Sequence, residues 1–273
     1  MAYTFGGNTG DDINLGMSAQ AGGSGGTSLH MGWFYPTTLT AGRYLFSIGN
    51  TVGLGIAATT TELTWTTQNA TTNGVWTSTN AMLAVNRWHF IAVLATQNNT
   101  GPAMQALCLI YDDVNGWHDA FLAQTTAPVG NFTGGTAMTL GNRGTGTVAF
   151  QGDIDSFMAI HSGGITGNGF LPLATAGAVT VSEWVRIYTS IIMPTAHGRP
   201  LDIQKLAPTG WGQTLEVASF HLHDNAYTRR LNTTSVNNAV PTVSTVNTAV
   251  LSAARAPNVF PMNWETGPEL IRR

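Results

Sequence analysis

The chain has 273 residues, of which only 9% are charged, and its 11 Lys and Arg against 14 Asp and Glu leave a net charge of −3; ordinary globular proteins carry about a quarter charged residues. A slightly negative balance with no run of Lys or Arg argues against attraction to nucleic-acid phosphates, and no stretch approaches the roughly 18 uninterrupted apolar residues of a membrane-spanning helix. With 43% hydrophobic residues and 8 Trp the chain can bury enough apolar area to offset the entropy of ordering, so disorder is excluded and Thr, Asn, Gln, Ser and Gly must cover most of the surface.

The first seven residues, Met1 to Gly7, place no apolar core behind a basic region, so no secretory signal is expected there. Short β-branched and aromatic runs then alternate with Gly, Asn and Thr clusters at roughly 8–12-residue intervals as far as about residue 160, the spacing of an all-β protein. Ser28 to Tyr35, followed by a turn at Pro36, then Arg43 to Ile48 and Val52 to Ala58, read as sheet strands. Arg87 to Ala95 is largely apolar on both alternating faces, which predicts a strand with protein packed on each side.

Met104 to Tyr111 is a second apolar run, and Asp112-Asp113-Val114-Asn115-Gly116 is a turn sequence leading into Trp117, so a hairpin is predicted. The single cysteine, Cys108, lies inside that run and is expected as a buried free thiol. Ala137 to Leu140 and Thr147 to Phe150 read as another hairpin-like pair, and Asp153 to His161 as a further strand. Beyond Gly164 the pattern changes. Val181 to Ile192 mixes three- and four-residue spacing with β-branched content and leaves helix and strand open, whereas Thr214 to His223 alternates as a strand does. From about Asn232 the chain is Asn, Thr, Ser, Val and Ala with scattered prolines and no period. It reads as an extended arm that orders against a neighbour or against its own domain.

Several segments together resemble the laminin-G-like branch of the concanavalin A-like lectin/glucanase superfamily. Phe5 to Leu15, Phe-Gly-Gly-Asn-Thr-Gly-Asp-Asp-Ile-Asn-Leu, looks like that family's first strand and turn, and Leu29 to Pro36 like the strand that carries its frequent Trp. Arg-Trp-His-Phe-Ile-Ala-Val from Arg87 resembles its "W-H-x-hydrophobic-A-V" strand, and Phe-Gln-Gly-Asp-Ile-Asp-Ser-Phe from Phe150 its closing "G-x-I-D" strand. The resemblance covers about residues 1–162 and implies two antiparallel sheets packed face to face, a jelly-roll sandwich. The expected organisation is therefore all-β: a jelly-roll sandwich over 1–165, a C-terminal elaboration packed on it over 166–230, and an extended C-terminal arm over 231–273.

Glycoside hydrolysis, the enzymatic activity that this superfamily suggests, needs two facing carboxylates. The five glutamates, Glu62, Glu183, Glu216, Glu265 and Glu269, show no E-x-D-x-x-E spacing. Asp153 and Asp155 share a strand face at i, i+2, and the resemblance gives such an Asp a structural part in a turn, so no catalytic residue and no enzyme is expected. Asp11 and Asp12 with Asn14, and Asp112 and Asp113 with Asn115, offer the hard oxygen ligands of Ca²⁺. Beside Gly and Asn they read first as turn formers, and no cofactor is expected. His221 and His223 share one strand face next to Asp224, two imidazoles where a transition-metal site needs more ligands.

Trp65, Trp76, Trp117 and Trp211 fall in loop-like or edge contexts where an aromatic platform for glycan would sit, although packing is the favoured use. Trp33 and Trp88 fall in the predicted core strands. The uncharged Gly, Thr and Asn-rich style resembles that of phage virion proteins carrying this kind of domain. The function expected is a non-enzymatic virion structural protein, a capsid-decorating or accessory component whose partners are the major capsid protein and copies of itself, with no nucleic acid and no membrane. The alternative is a carbohydrate-binding adhesin on a tail or cell surface, and a divergent glycanase ranks last.

Overall fold

The computed structural model describes residues 2–14, 26–78, 83–97, 106–133, 138–143 and 148–162, together with the strand segments 215–221, 227–232, 245–247 and 250–252. No helix occurs among them. The strands, in chain order, are β1 (Ala2–Gly6), β2 (Asp12–Asn14), β3 (Gly26–Pro36), β4 (Tyr44–Ile48), β5 (Val52–Ile56), β6 (Leu63–Thr66), β7 (Val75–Ser78) and β8 (His89–Gln97). They continue with β9 (Ala106–Asp112), β10 (Gly116–Thr126), β11 (Met138–Leu140), β12 (Gln151–Ser162), β13 (Leu215–His221), β14 (Tyr227–Asn232), β15 (Thr245–Asn247) and β16 (Val250–Ser252).

Two antiparallel sheets form a sandwich. In sheet A the order is β14-β13-β12-β3-β8-β9-β10, with β1 sharing the free side of β12 end to end with β13, and β16 added outside β1. Sheet B runs β10-β7-β6-β5-β4-β11-β2-β15. The strand β10 belongs to both: Gly116 to Phe121 pair with β9 and Leu122 to Thr126 with β7, with a register shift between Gln124 and Thr126. A bulge of that kind bends and twists a strand, which is how one long strand serves two sheets.

The core between the sheets follows from period-2 alternation. Phe34 of β3, Ile91 and Val93 of β8, Cys108 and Ile110 of β9, and Ile154 and Phe157 of β12 meet Phe46, Ile48, Leu54, Leu63, Trp65, Met138 and Leu140 from sheet B. Phe46 lies 5.2 Å from Phe157, ring centre to ring centre, and His30 of β3 sits 5.1 Å from Phe46 and 5.7 Å from Trp65. The opposite face of sheet A is apolar as well. Met31, Trp33, Phe90, Ala92 and Tyr111 are at most 5% exposed, and Trp33 meets Phe90 and Tyr111 edge to face across neighbouring strands. The two-faced apolar pattern of Arg87 to Ala95 therefore reflects burial on both sides of β8.

The predicted hairpin of Ala137 to Leu140 with Thr147 to Phe150 is replaced by a different arrangement. β11 pairs with β4 and β2, while Ala149 makes a parallel bridge to Tyr44. The cause is the turn at Gly141 and Asn142. Gly141 has φ +72°, and a Cβ there would come within 2.3 Å of the Phe5 ring. The Asn142 side-chain oxygen accepts the N–H groups of Arg143 and Val148 at 2.8 and 3.0 Å, so these donors serve a side chain rather than a strand ladder, and the Phe150 N–H reaches back to Gly141 O at 2.7 Å.

Strands from beyond residue 165 join both sheets. β13 and β14 extend sheet A from β12. Of the stretch expected as an arm, β15 pairs with β2 and β16 with β1. Val181 to Ile192, His223 and Asp224 lie outside the described residues.

Candidate functional site

At one end of sheet A the start of β8, the end of β3 and the β9–β10 turn converge. The chain enters β8 through Asn86, Arg87 and Trp88. Asn86 adopts the left-handed conformation, φ 56°, and its N–H donates to Pro36 O at 2.8 Å, which fixes this entry against the end of β3. Arg87 Nη1 donates to Asp112 Oδ1 at 3.2 Å, and its Nε stands 4.0 Å from Asp113 Oδ1. His89, the register partner of Asp112, is fully buried.

Asp112 organises the turn that the sequence predicts. Its Oδ1 accepts the N–H groups of Val114 and Asn115 at 2.9 and 2.8 Å, and its Oδ2 accepts the Asn115 amide at 2.9 Å. Gly116 closes the turn at φ +75°, a conformation that glycine takes without strain. Burial pushes the Asp112 carboxyl upward, but the hydrogen bonds from Asn115 and Val114, with His89 nearby, outweigh it and hold the group below the ordinary carboxylate value.

His89 Nε2 lies 3.0 Å from Ala84 O and 3.1 Å from Ala84 N, so the neutral ring can donate to the one or accept from the other according to tautomer. Its Nδ1 faces Asp112 Oδ2 at 3.9 Å, beyond hydrogen-bond reach. Burial pulls the imidazole pKa down, against the opposing pull of the Ala84 hydrogen bond and the Asp112 charge. Burial also raises the Tyr111 phenol, with Asp113 and Asp112 adding to the shift, and raises the buried Cys108 thiol. A buried, uncharged thiol is unreactive.

The sequence-derived candidates separate cleanly. Trp65 and Trp76, expected in loop or edge contexts, stand on β6 and β7 as direct cross-strand partners, 1% and 3% exposed. That placement is corrected: the alternation of Leu63 and Trp65 carries the indole inward, where it meets His30 and Phe46, and neither ring offers a face to a glycan. Trp117 lies on β10 opposite Tyr111 in register, and Trp211 lies outside the described residues. Trp88, expected in the core, is half-buried, because it precedes the first residue of β8. It packs on Tyr35 with ring centres 5.4 Å apart and planes inclined at 53°.

Asp11 is buried and closes the β1–β2 turn, its Oδ2 accepting the Asn8 backbone N–H at 2.9 Å, while Asp12 begins β2 and is half-buried. Asp11 and Asp112 thus each organise a turn, the use that the neighbouring Gly and Asn suggest, while Asp12 stands on β2. Among the described residues no group of three or more His, Cys, Asp and Glu side chains is arranged to hold a metal. Asp153 accepts the Thr4 hydroxyl across the β1–β12 pair, and Asp155 is 3% exposed. The His89 and Asp112 partnership was missed by sequence reasoning, since it depends on the register of two strands whose residues are separated by a loop. The Arg-Trp-His run before an apolar strand was the available signal.

Comparison with known proteins adds little. No family model matches the chain, and no curated protein matches it. Among solved structures there is similarity to domain 4 of AbnA, a GH43 extracellular arabinanase from Geobacillus stearothermophilus, in complex with arabinotriose. The identity is 15% and the TM-score 0.28, over 50% of this chain and 61% of that one. This chain thus matches less than two thirds of that domain's own length.

Proposed function

We propose that the protein is a non-enzymatic structural component of a phage virion, a capsid-decorating or accessory protein whose sandwich is of the laminin-G/concanavalin A-like kind. The observation that carries the reading is the use of the C-terminal stretch. β15 is laid on β2 of one sheet and β16 on β1 of the other, so three-residue pieces of an otherwise aperiodic segment rich in Asn, Thr, Ser, Val and Ala are held by strand addition. Strand addition supplies main-chain hydrogen bonds without requiring a core of its own, and it works equally between subunits. A chain with 9% charged residues also loses little desolvation energy when its surface is covered by copies of itself or by a major capsid protein.

The carboxylates support the same reading. Asp112 is occupied by backbone and side-chain donors, and Asp11 and Asp153 accept hydrogen bonds from their own neighbourhoods. Each therefore has a structural use that needs no substrate. The test is mass spectrometry of purified virions of the encoding phage, with copy number measured against the major capsid protein. Hundreds of copies are expected. A few copies would move the protein to a tail or vertex, and complete absence would overturn the proposal.

A second reading, a carbohydrate-binding adhesin, loses Trp65 and Trp76 as platforms but gains the half-buried pair Tyr35 and Trp88.

A further inference from the structure

Something lies over the outer face of sheet A. Met31 and Trp33 of β3, Phe90 and Ala92 of β8 and Tyr111 of β9 alternate with the residues that point at sheet B, and they stand outside the inter-sheet core. Each is nevertheless at most 5% exposed. Neighbours on the same sheet cover only the flanks of a side chain that stands off the strand plane, so the tip of an indole or phenol ring is hidden only by a further layer. Trp33 meets Phe90 and Tyr111 edge to face, which leaves its outward end to be covered. Among the described residues, the strands form two sheets and no third layer.

The same face holds carboxylates. Asp155 is the register partner of Trp33 and Asp153 of Tyr35, so both belong to the outer side of β12. Both are buried, and Asp153 takes the Thr4 hydroxyl. A carboxylate at the depth of Asp155 requires a cation or several donors, so the covering segment must be largely apolar and must bring such groups.

Strand connectivity points to its origin. β12 ends at Ser162 and β13 begins at Leu215, and these two residues are paired in register beside Thr27 of β3. A hairpin closes with about 2–5 residues, and connections beyond about 12–15 residues in a compact domain have a use of their own. Here residues 163–214 are inserted, leaving sheet A and returning to it at one place. From Thr27 to Trp33 along β3 is roughly 20 Å, well within the reach of such a connection out and back. Its apolar residues include Phe170, Trp184, Ile187, Tyr188 and Ile191, with Arg186 among them. Residues 253–273, the other long stretch, carry as many charged residues in less than half the length, a poorer composition for covering an aromatic layer.

We infer that the outer face of β3, β8 and β9 is a docking surface for residues 163–214 of the same chain, which form a third layer over it. The inference is independent of the virion reading, because an intramolecular cap neither needs nor excludes assembly. It narrows where partners can touch the protein: a capped outer face of sheet A is withdrawn from any interface, and contacts with other subunits fall to sheet B and to the sheet edges.

The test is photo-cross-linking of the full chain carrying photo-methionine, a diazirine close to methionine in size, so that the packing around Met31 is kept. After irradiation in dilute solution and digestion, mass spectrometry reads the partner of the Met31 peptide. Cross-links into residues 163–214 of the same chain are expected. Cross-links into 253–273, into a second copy, or into sheet A alone would overturn the proposal. A second variant replaces 163–214 by a short Asn-Gly turn joining Ser162 to Leu215, with the β signal followed by circular dichroism and exposed apolar surface by a hydrophobic dye. A folded variant should bind the dye several-fold more strongly than the parent, and a folded variant with unchanged dye binding would also overturn the proposal. If the shortened chain does not fold, the Met31 cross-link decides. Neither readout depends on copy number in virions, so the two proposals fail separately.

Discussion

Two aromatic pairs show how one residue type serves two purposes in the same sandwich. Trp65 and Trp76 face each other across β6 and β7 in the inter-sheet core, while Tyr35 and Trp88 meet at the end of sheet A and remain half-buried. Both pairs come from adjacent antiparallel segments. The difference is depth: the first pair lies over the opposite sheet, and the second lies where β8 is only beginning. Burial thus follows from position along the strand as much as from the identity of the ring.

The most direct way to break this comparison is to remove each ring. Trp65→Ala should cost about 3–5 kcal/mol, the range for a large aromatic deleted from a close-packed core. Trp88→Ala should cost about 1–2 kcal/mol, since part of its surface is already solvated. Urea denaturation followed by circular dichroism reads both. Equal losses would mean that the end of sheet A is as much core as the middle.

The sequence made the long strands legible, and with them the five-residue β4 and β5, but it concealed β6 and β7. Arg87 to Ala95 and Met104 to Tyr111 are sustained apolar runs, and the structure has β8 and β9 there. Leu63-Thr-Trp-Thr and Val75-Trp-Thr-Ser are strands of four residues in a chain where Thr also fills loops, so their period-2 pattern is brief and blends into its surroundings. The alternation of Leu63 with Trp65 was the signal that pointed inward. At the candidate site the turn function of Asp112 followed from its Gly and Asn neighbours, a local property. The approach of His89 to Asp112 and of Trp88 to Tyr35 depends on register between strands, which no local pattern specifies.

The next effect concerns what holds the β9–β10 turn. Asp112→Ala would leave the N–H groups of Val114 and Asn115 and the Arg87 guanidinium without their acceptor, at a cost of about 1–3 kcal/mol. Replacement by Asn, which keeps an acceptor oxygen but no charge, should recover part of it. A variant as stable as the parent would show that the turn forms without its carboxylate.

Acid should act on the same cluster through His89. Its folded-state pKa lies below the unfolded value, so the unfolded chain takes up a proton that the folded chain refuses. Stability should be full above about pH 6.5 and fall as pH drops below it, until the lowered folded pKa is reached, with a slope of at most about 1.4 kcal/mol per pH unit for one proton. Asp112, whose pKa is also lowered, adds its loss only below the ordinary carboxylate range. His89→Gln can keep a hydrogen bond to Ala84 and cannot titrate. Thermal unfolding between pH 7 and 5 should therefore be flatter in the variant, and an unchanged slope would place the titration elsewhere.

The smallest expected change in stability is at the exposed side of the β9–β10 turn. Asp113 is 70% exposed, and its nearest cation is Arg87 at 4.0 Å, an exposed ion pair of the kind that contributes about 0–1 kcal/mol. Asp113→Asn should therefore shift the denaturation midpoint hardly at all, within roughly 0.5 kcal/mol. A larger loss would show that the pair is ordered and screened from solvent, in the manner of the buried Trp65 pair, where any substitution is felt first in stability.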